Sequence, residues 1–284
     1  MTKMIRITWG GEHSNGFTVV ETIIVLAVTG ILFVSAVSLI EGRQNEAEFM
    51  TGINNLQQQI QQIINETASG YYPNNGTTFS CSSSPGSAPT ITPLPSGSTQ
   101  YQGTNGDCIF LGKAVYFNGS SSAGNFTVYP LTGNRLDVAG NQVTSLSAAR
   151  PVAIAPGASS PSGYPNDSTT FSAENGLMFA WAKYETSPGT YALSTSAVVA
   201  FINSPTSFGN PSLLSGSQQL GVYGFDVPAP QNVVDAINNN MSSTSPLYGL
   251  ELCFNSGGTN QSGVITIGGH GGSAVSLAIK DVPC

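Results

Sequence analysis

Between Phe17 and Ile40 the chain runs for 24 residues, FTVVETIIVLAVTGILFVSAVSLI, with a single ionisable side chain, Glu21. As a helix rising about 1.5 Å per residue, such a run reaches about 36 Å, enough to cross a hydrocarbon core of about 30 Å. The carboxylate is what needs explaining. A lone charge inside an apolar run costs about 2.5 to 3.5 kcal/mol on insertion scales, so it calls for a partner. If the chain is cut after Gly16, Phe17 acquires a free α-amino group one helical turn before Glu21. The two charges then share a helix face, within one chain or between neighbours.

The hexapeptide Gly16-Phe17-Thr18-Val19-Val20-Glu21 followed by an apolar helix resembles the class III signal of type IV pilins and type II secretion pseudopilins. The resemblance implies cleavage after Gly16 by a prepilin peptidase, N-methylation of Phe17, and a role for Glu21 in subunit assembly. It implies, as partners, other pilin subunits in a homo- or hetero-polymer and an assembly platform with its ATPase motor. An ordinary secretory signal is disfavoured, because its apolar core is shorter and ends in small residues. An ordinary single-pass anchor remains as an alternative, though it requires neither Glu21 nor the Gly-Phe junction.

Charge sets the expected orientation. The leader, residues 1–16, carries Lys3 and Arg6 against Glu12, which leaves the rest of a chain of net charge −7 at −8. Basic residues before the span favour a cytoplasmic N-terminus and an external remainder. With so acidic a remainder the chain has no general basic footprint, so strong nucleic-acid binding is not expected. Only 8% of residues are charged, and the chain holds 33 Gly and 17 Pro, a composition suited to an extracellular β-rich surface.

Past Ile40 the helical pattern continues. No proline interrupts Phe17 to Ser69, and Phe49, Ile53, Leu56, Ile60, Ile63 and Ile64 recur at spacings of three and four, with Gln57, Gln58, Gln61 and Gln62 opposite. Gly70 supplies a stop. Within the membrane segment, Gly30 costs about 0.8 to 1 kcal/mol relative to Ala, and close helix packing is the expected return.

Residues 70 to 107 read as turns, and a structureless stretch of that length calls for a tie. Strands are expected at CIFLGKAVYF (108–117) with FTVYPL (126–131) as its hairpin partner. GLMFAWAKYE (176–185) is expected to pair with YALSTSAVVAFI (191–202), and GVYGFDV, LYGLELCF, VITIG and SAVSLAIK follow as strands. PQNVVDAINNN suggests a short helix begun by Pro230. The organisation is therefore α+β: leader 1–16, transmembrane or filament-core helix 17–40, amphipathic helix 41–69 packing on the head, and a β-rich head 70–284 with an antiparallel sheet. The stretch from Leu250 to Gly268 resembles the closing hairpin of H-type minor pilins and pseudopilins.

Four cysteines, all beyond the apolar run, fit an oxidising exterior, and four allow three connectivities. Cys81–Cys108 and Cys253–Cys284 are expected because each pair encloses one local segment. The second also resembles the C-terminal disulfide loop of many pilins.

Catalytic patterns are missing from the sequence: there is no GxSxG, HExxH or GxxxxGK[ST]. His270 stands in the glycine-rich stretch GGHGGS, and Asp107, Asp137, Asp167, Glu174, Glu185, Asp226, Asp235 and Glu251 are scattered singly. Neither an enzyme nor a cofactor or metal is expected. Seven Asn-x-Ser/Thr triplets, at Asn65, Asn75, Asn118, Asn125, Asn166, Asn240 and Asn260, follow from the Asn- and Ser-rich composition.

The reading is a structural subunit of a type IV pilus, inserted once in the inner (cytoplasmic) membrane before assembly and extracellular in the filament afterwards, with adhesion, motility or uptake as its role. The alternatives are a type II secretion pseudopilin and a non-polymerising membrane-anchored adhesin or exported enzyme.

Overall fold

A computed structural model describes residues 18–70, 79–84, 86–93, 108–119, 125–154, 169–171, 176–203, 220–227, 232–257, 260–268 and 274–284. The chain divides into a unit ending at Asn45 and a second from Glu46 to Cys284. Helix α1, Val19–Ala68, begins in the first and ends in the second. The proline-free run is what allows one helix of 50 residues. Its end is set at Gly70, whose φ of 66° only glycine adopts freely, while the Ser69 and Gly70 amides donate to the carbonyls of Asn65 and Thr67.

In the second unit the described strands are antiparallel throughout. Strands β1 (Phe79–Ser82) and β2 (Thr90–Pro93) pair alone. Six more form one sheet: β3 (Cys108–Asn118), β4 (Phe126–Asn134), β5 (Val152–Ala153), β6 (Thr169–Phe171), β9 (Ser196–Asn203) and β10 (Leu220–Asp226). Its order is β10-β9-β3-β4-β5, with β6 also on β4. The other sheet holds β7 (Leu177–Ser187), β8 (Thr190–Ser194), β11 (Gly249–Ser256), β12 (Ser262–Gly268) and β13 (Val275–Lys280), in the order β13-β12-β11-β7-β8. Fold class is α+β, an N-terminal apolar helix followed by mostly antiparallel sheet.

Two sheets, rather than the single sheet expected, follow from one break. The stretch 191–202 does not form one strand: β8 pairs with β7, whereas β9 pairs with β3 and β10 in the other sheet. Ser194 causes the turn. Its hydroxyl shares its one proton between the carbonyl of Ser196 and the Asp226 carboxylate, and accepts the amide of Ser196. A serine that satisfies the backbone two residues on replaces ladder bonds with a local turn. Beyond it, Ala197 to Asn203 are buried throughout, which is why AVVAFI is a continuous apolar run instead of an alternating one.

The two faces of β9 feed two cores. Val199 and Phe201 join Phe117, Phe179, Leu252, Phe254 and Ile265 in a cluster that also takes in Phe49, Ile53, Leu56, Ile60, Ile63 and Ile64 of α1. Phe117 and Phe179, one from each sheet, stack with ring centroids 5.2 Å apart. Val198, Ala200 and Ile202 face a second cluster with Leu146, Ala149, Ala236, Ile237 and Met241. These belong to α2 (Leu146–Ala149), α3 (Val233–Asn240) and the 3-10 turn Met241–Ser243. Helix α3 is begun by Asn232, whose side chain accepts the Val234 amide; Pro230, expected to start it, lies outside the described residues.

Candidate functional site

Gly16 and Phe17, the junction at which cleavage and methylation are expected, lie outside the described residues. Glu21 is in the first turn of α1 and exposed. Its amide donates to the hydroxyl of Thr18 at 3.3 Å. Thr18-Val19-Val20-Glu21 thus has the Ser/Thr-x-x-Glu spacing of a capping box, a local signal present in the sequence beside the charge. A carboxylate in the first turn also meets the positive end of the helix dipole.

The rest of the segment disposes of its own polar groups. Thr22, Thr29 and Ser35 donate to the carbonyls of Val19, Val25 and Ile31 at 2.8 Å each. A hydroxyl bonded back to its own helix requires no partner in hydrocarbon. Glu21 has no ion-pair partner among the described residues. Every residue from Val19 to Ala36 is exposed, including Ile31, Leu32 and Phe33. These 18 residues are long and apolar enough to cross a membrane, about 27 Å at the helical rise. Among the described residues, a Cβ added at Gly30 would meet nothing within 4 Å.

Two disulfides are present, Cys81–Cys108 and Cys253–Cys284. The first ties the β1–β2 pair to the start of β3. The second draws residues 281–284 across the outer face of the β7–β11–β12 sheet. There the Cys284 amide donates to Asn255 Oδ1 at 2.7 Å, Trp181 Nε1 donates to the Cys284 carbonyl at 3.3 Å, and Ser262 Oγ to the Val282 carbonyl at 2.6 Å.

Among the described residues no three His, Cys, Asp or Glu side chains gather as a metal site. Both histidines, with Asp107, Asp167 and Glu174, lie outside the described residues. Asp137 accepts the amides of Ala139 and Asn141 within its own turn, and Glu251 pairs with Lys183 at 3.3 Å. The Ser194–Asp226 pair adjoins Tyr184, whose hydroxyl donates to the Phe225 carbonyl at 3.1 Å. Burial, and then the Asp226 charge, raise the Tyr184 pKa far above its ordinary value, so it stays a donor. These groups build a seam where the chain changes sheets.

Comparison of the chain with protein-family models, with curated proteins and with solved structures finds no match.

Proposed function

We propose that the chain is a structural subunit of a type IV pilus, made as a prepilin, cut after Gly16 and assembled through α1. The observation that carries the reading is the change of environment along that helix. Val19 to Ala36 are exposed and apolar around one carboxylate, whereas Phe49, Ile53, Leu56, Ile60, Ile63 and Ile64 form a stripe buried among strand residues. On this reading the outer half of α1 packs on the sheets as the spine of the head, and the first half serves lipid before assembly and other copies afterwards.

The mechanism is assembly rather than catalysis. The leader lies in the cytoplasm and the peptidase frees Phe17. Glu21 then neutralises the new amine of its own or a neighbouring chain as the apolar helices bundle. The back-bonded hydroxyls fit this role, because they leave the carboxylate as the group that selects a partner. The platform and ATPase that drive the step are separate proteins. The β11–β12 hairpin also suits the pseudopilus alternative, which shares the same helix chemistry.

Mass spectrometry of the mature N-terminus tests the proposal. A chain beginning at methylated Phe17 supports it; an intact Met1 favours a plain anchor and overturns it.

A further inference from the structure

We infer that strand β8 is a docking edge for a second copy of this chain, the two β8 strands pairing antiparallel about Ala192. This inference does not rest on the pilus reading.

Edges of sheets are templates for further strands unless something blocks them. The edge at β10 is met by its own chain: the Leu247 amide donates to the Val222 carbonyl at 2.7 Å, and Tyr223 bridges to Pro246. At the far end of that sheet, β5 has two residues, and its Ala153 amide donates to Asn238. On the other sheet β13 ends at Lys280, with Asp281 following it. Strand β8 differs from all of these. It has five residues, Thr-Tyr-Ala-Leu-Ser, with no charge, proline or bulge of its own. Its first four residues are exposed, Tyr191 at 54% and Leu193 at 69%.

The sequence of the strand identifies the occupant. Tyr191 and Leu193 lie opposite Glu185 and Lys183, so both stand on the outer face. In an antiparallel pair centred on Ala192, each Tyr191 falls opposite the other copy's Leu193, and the two Ala192 residues face one another. Aromatic and aliphatic side chains directly opposite are favourable cross-strand neighbours, and this register supplies two such pairs by symmetry. The nearby charges do not oppose the approach, since each is engaged at home. The Lys183 ammonium lies 4.2 Å from the centroid of the Tyr191 ring and pairs with Glu251, and Glu185 accepts the Gly189 amide at 3.0 Å. A contact of this symmetry closes on two copies and joins the two five-stranded sheets into one of ten strands. Stable interfaces bury about 1,200 to 2,000 Å², more than a five-residue strand supplies, so the pairing is weak and rises with concentration.

Crosslinking of the full chain in detergent micelles tests the register. Cysteines at directly opposite positions of antiparallel strands have Cα atoms about 4.5 to 5.5 Å apart, within disulfide range. Ala192→Cys is expected to give a covalent dimer under a mild oxidant at least about tenfold faster than Ser276→Cys on β13. Adding Leu193→Lys, or Tyr191→Glu, to the Ala192→Cys chain should slow the crosslink. Mixing those two double variants should restore it, because the new lysine then faces the new glutamate. The exposed positions leave the fold intact, which mass mapping of the two native disulfides verifies. Equal rates for Ala192→Cys and Ser276→Cys, or a mixture no faster than either variant alone, overturns the inference.

Discussion

The ammonium of Lys113, on β3, donates to the carboxylate of Glu66 in the last turn of α1. The Lys113 side chain is only 7% exposed, and Glu66, at 23%, also accepts from Gln62 at 2.7 Å. Removing the acid leaves a buried cation without its counter-ion. Glu66→Ala is therefore expected to cost about 3 kcal/mol, the lower end of the range for breaking a buried pair, because Glu66 keeps some solvent. Replacing both, with Lys113→Met and Glu66→Leu, should recover most of the loss. Denaturant unfolding of the full chain in detergent micelles, followed by tryptophan fluorescence, measures both.

The same pair sets a dependence on pH. Burial pushes the Glu66 carboxyl upward, but hydrogen bonds from Lys113 and Gln62 and the Lys113 charge outweigh it, and the net pKa is lowered. A group whose folded pKa is depressed contributes stability above its unfolded pKa and loses it as pH falls through the folded value. Unfolding midpoints should therefore drop on acidification below the ordinary carboxylate range. Glu66→Gln should flatten that part of the profile; an unchanged slope would place the acid sensitivity elsewhere.

Much of this was legible in the sequence, and the rest was hidden for physical reasons. The spacing of Phe49, Ile53, Leu56, Ile60 and Ile64 announces a helix with one buried stripe, and those residues are buried. Local alternation locates β3, β4, β7 and β10 to β13. It does not reveal that 191–202 is divided, because the turn at Ser194 depends on Asp226, 32 residues away. The partner of Glu66 was equally invisible. Lys113 reads as one polar residue in an apolar strand, and only tertiary pairing brings it to the helix 47 residues earlier. At the N-terminus the reverse holds. The Thr18-x-x-Glu21 spacing is plain in the sequence, and the Glu21 amide meets the Thr18 hydroxyl as that spacing dictates.

Gly263 on β12 marks a close approach to α1. A Cβ built there would lie 2.6 Å from Ile53 Cγ1 and 2.9 Å from its Cδ1. Gly263→Ala is expected to destabilise by about 1 to 3 kcal/mol through overpacking, and Ile53→Val in the same chain should relieve part of it. A double-mutant cycle with additive effects would mean that the two residues are not in contact.

The C-terminal disulfide holds residues that few other contacts hold. Cys253 is buried in β11, whereas Asp281 to Cys284 are all exposed, with Val282 at 58%. Closing a loop of 31 residues adds about 3 to 4 kcal/mol in the chain-entropy model, so Cys284→Ser with Cys253→Ala should cost that much. Amide exchange should then rise first at Cys284 itself, whose N–H rests on Asn255, while the β11–β12 ladder keeps its protection.

Glu21 separates the two roles open to it. If it serves chiefly as the third residue of a cap, Glu21→Gln preserves the cap geometry and assembly continues. If it neutralises the amine of Phe17, the charge is required, and Glu21→Gln should fail nearly as badly as Glu21→Ala. On the pilus reading both variants should still be cut after Gly16, with cleavage coming before subunits meet, whereas a bulky residue at Gly16 should block the cut. Counting processed subunits in sheared filaments against those left in the membrane distinguishes the outcomes. The expected result is normal processing with at least about tenfold loss of incorporation, the scale that losing one charge-assisted hydrogen bond of about 1.5 to 3 kcal/mol sets. Full incorporation of Glu21→Gln would assign the carboxylate to the helix cap and leave assembly to the apolar surface alone.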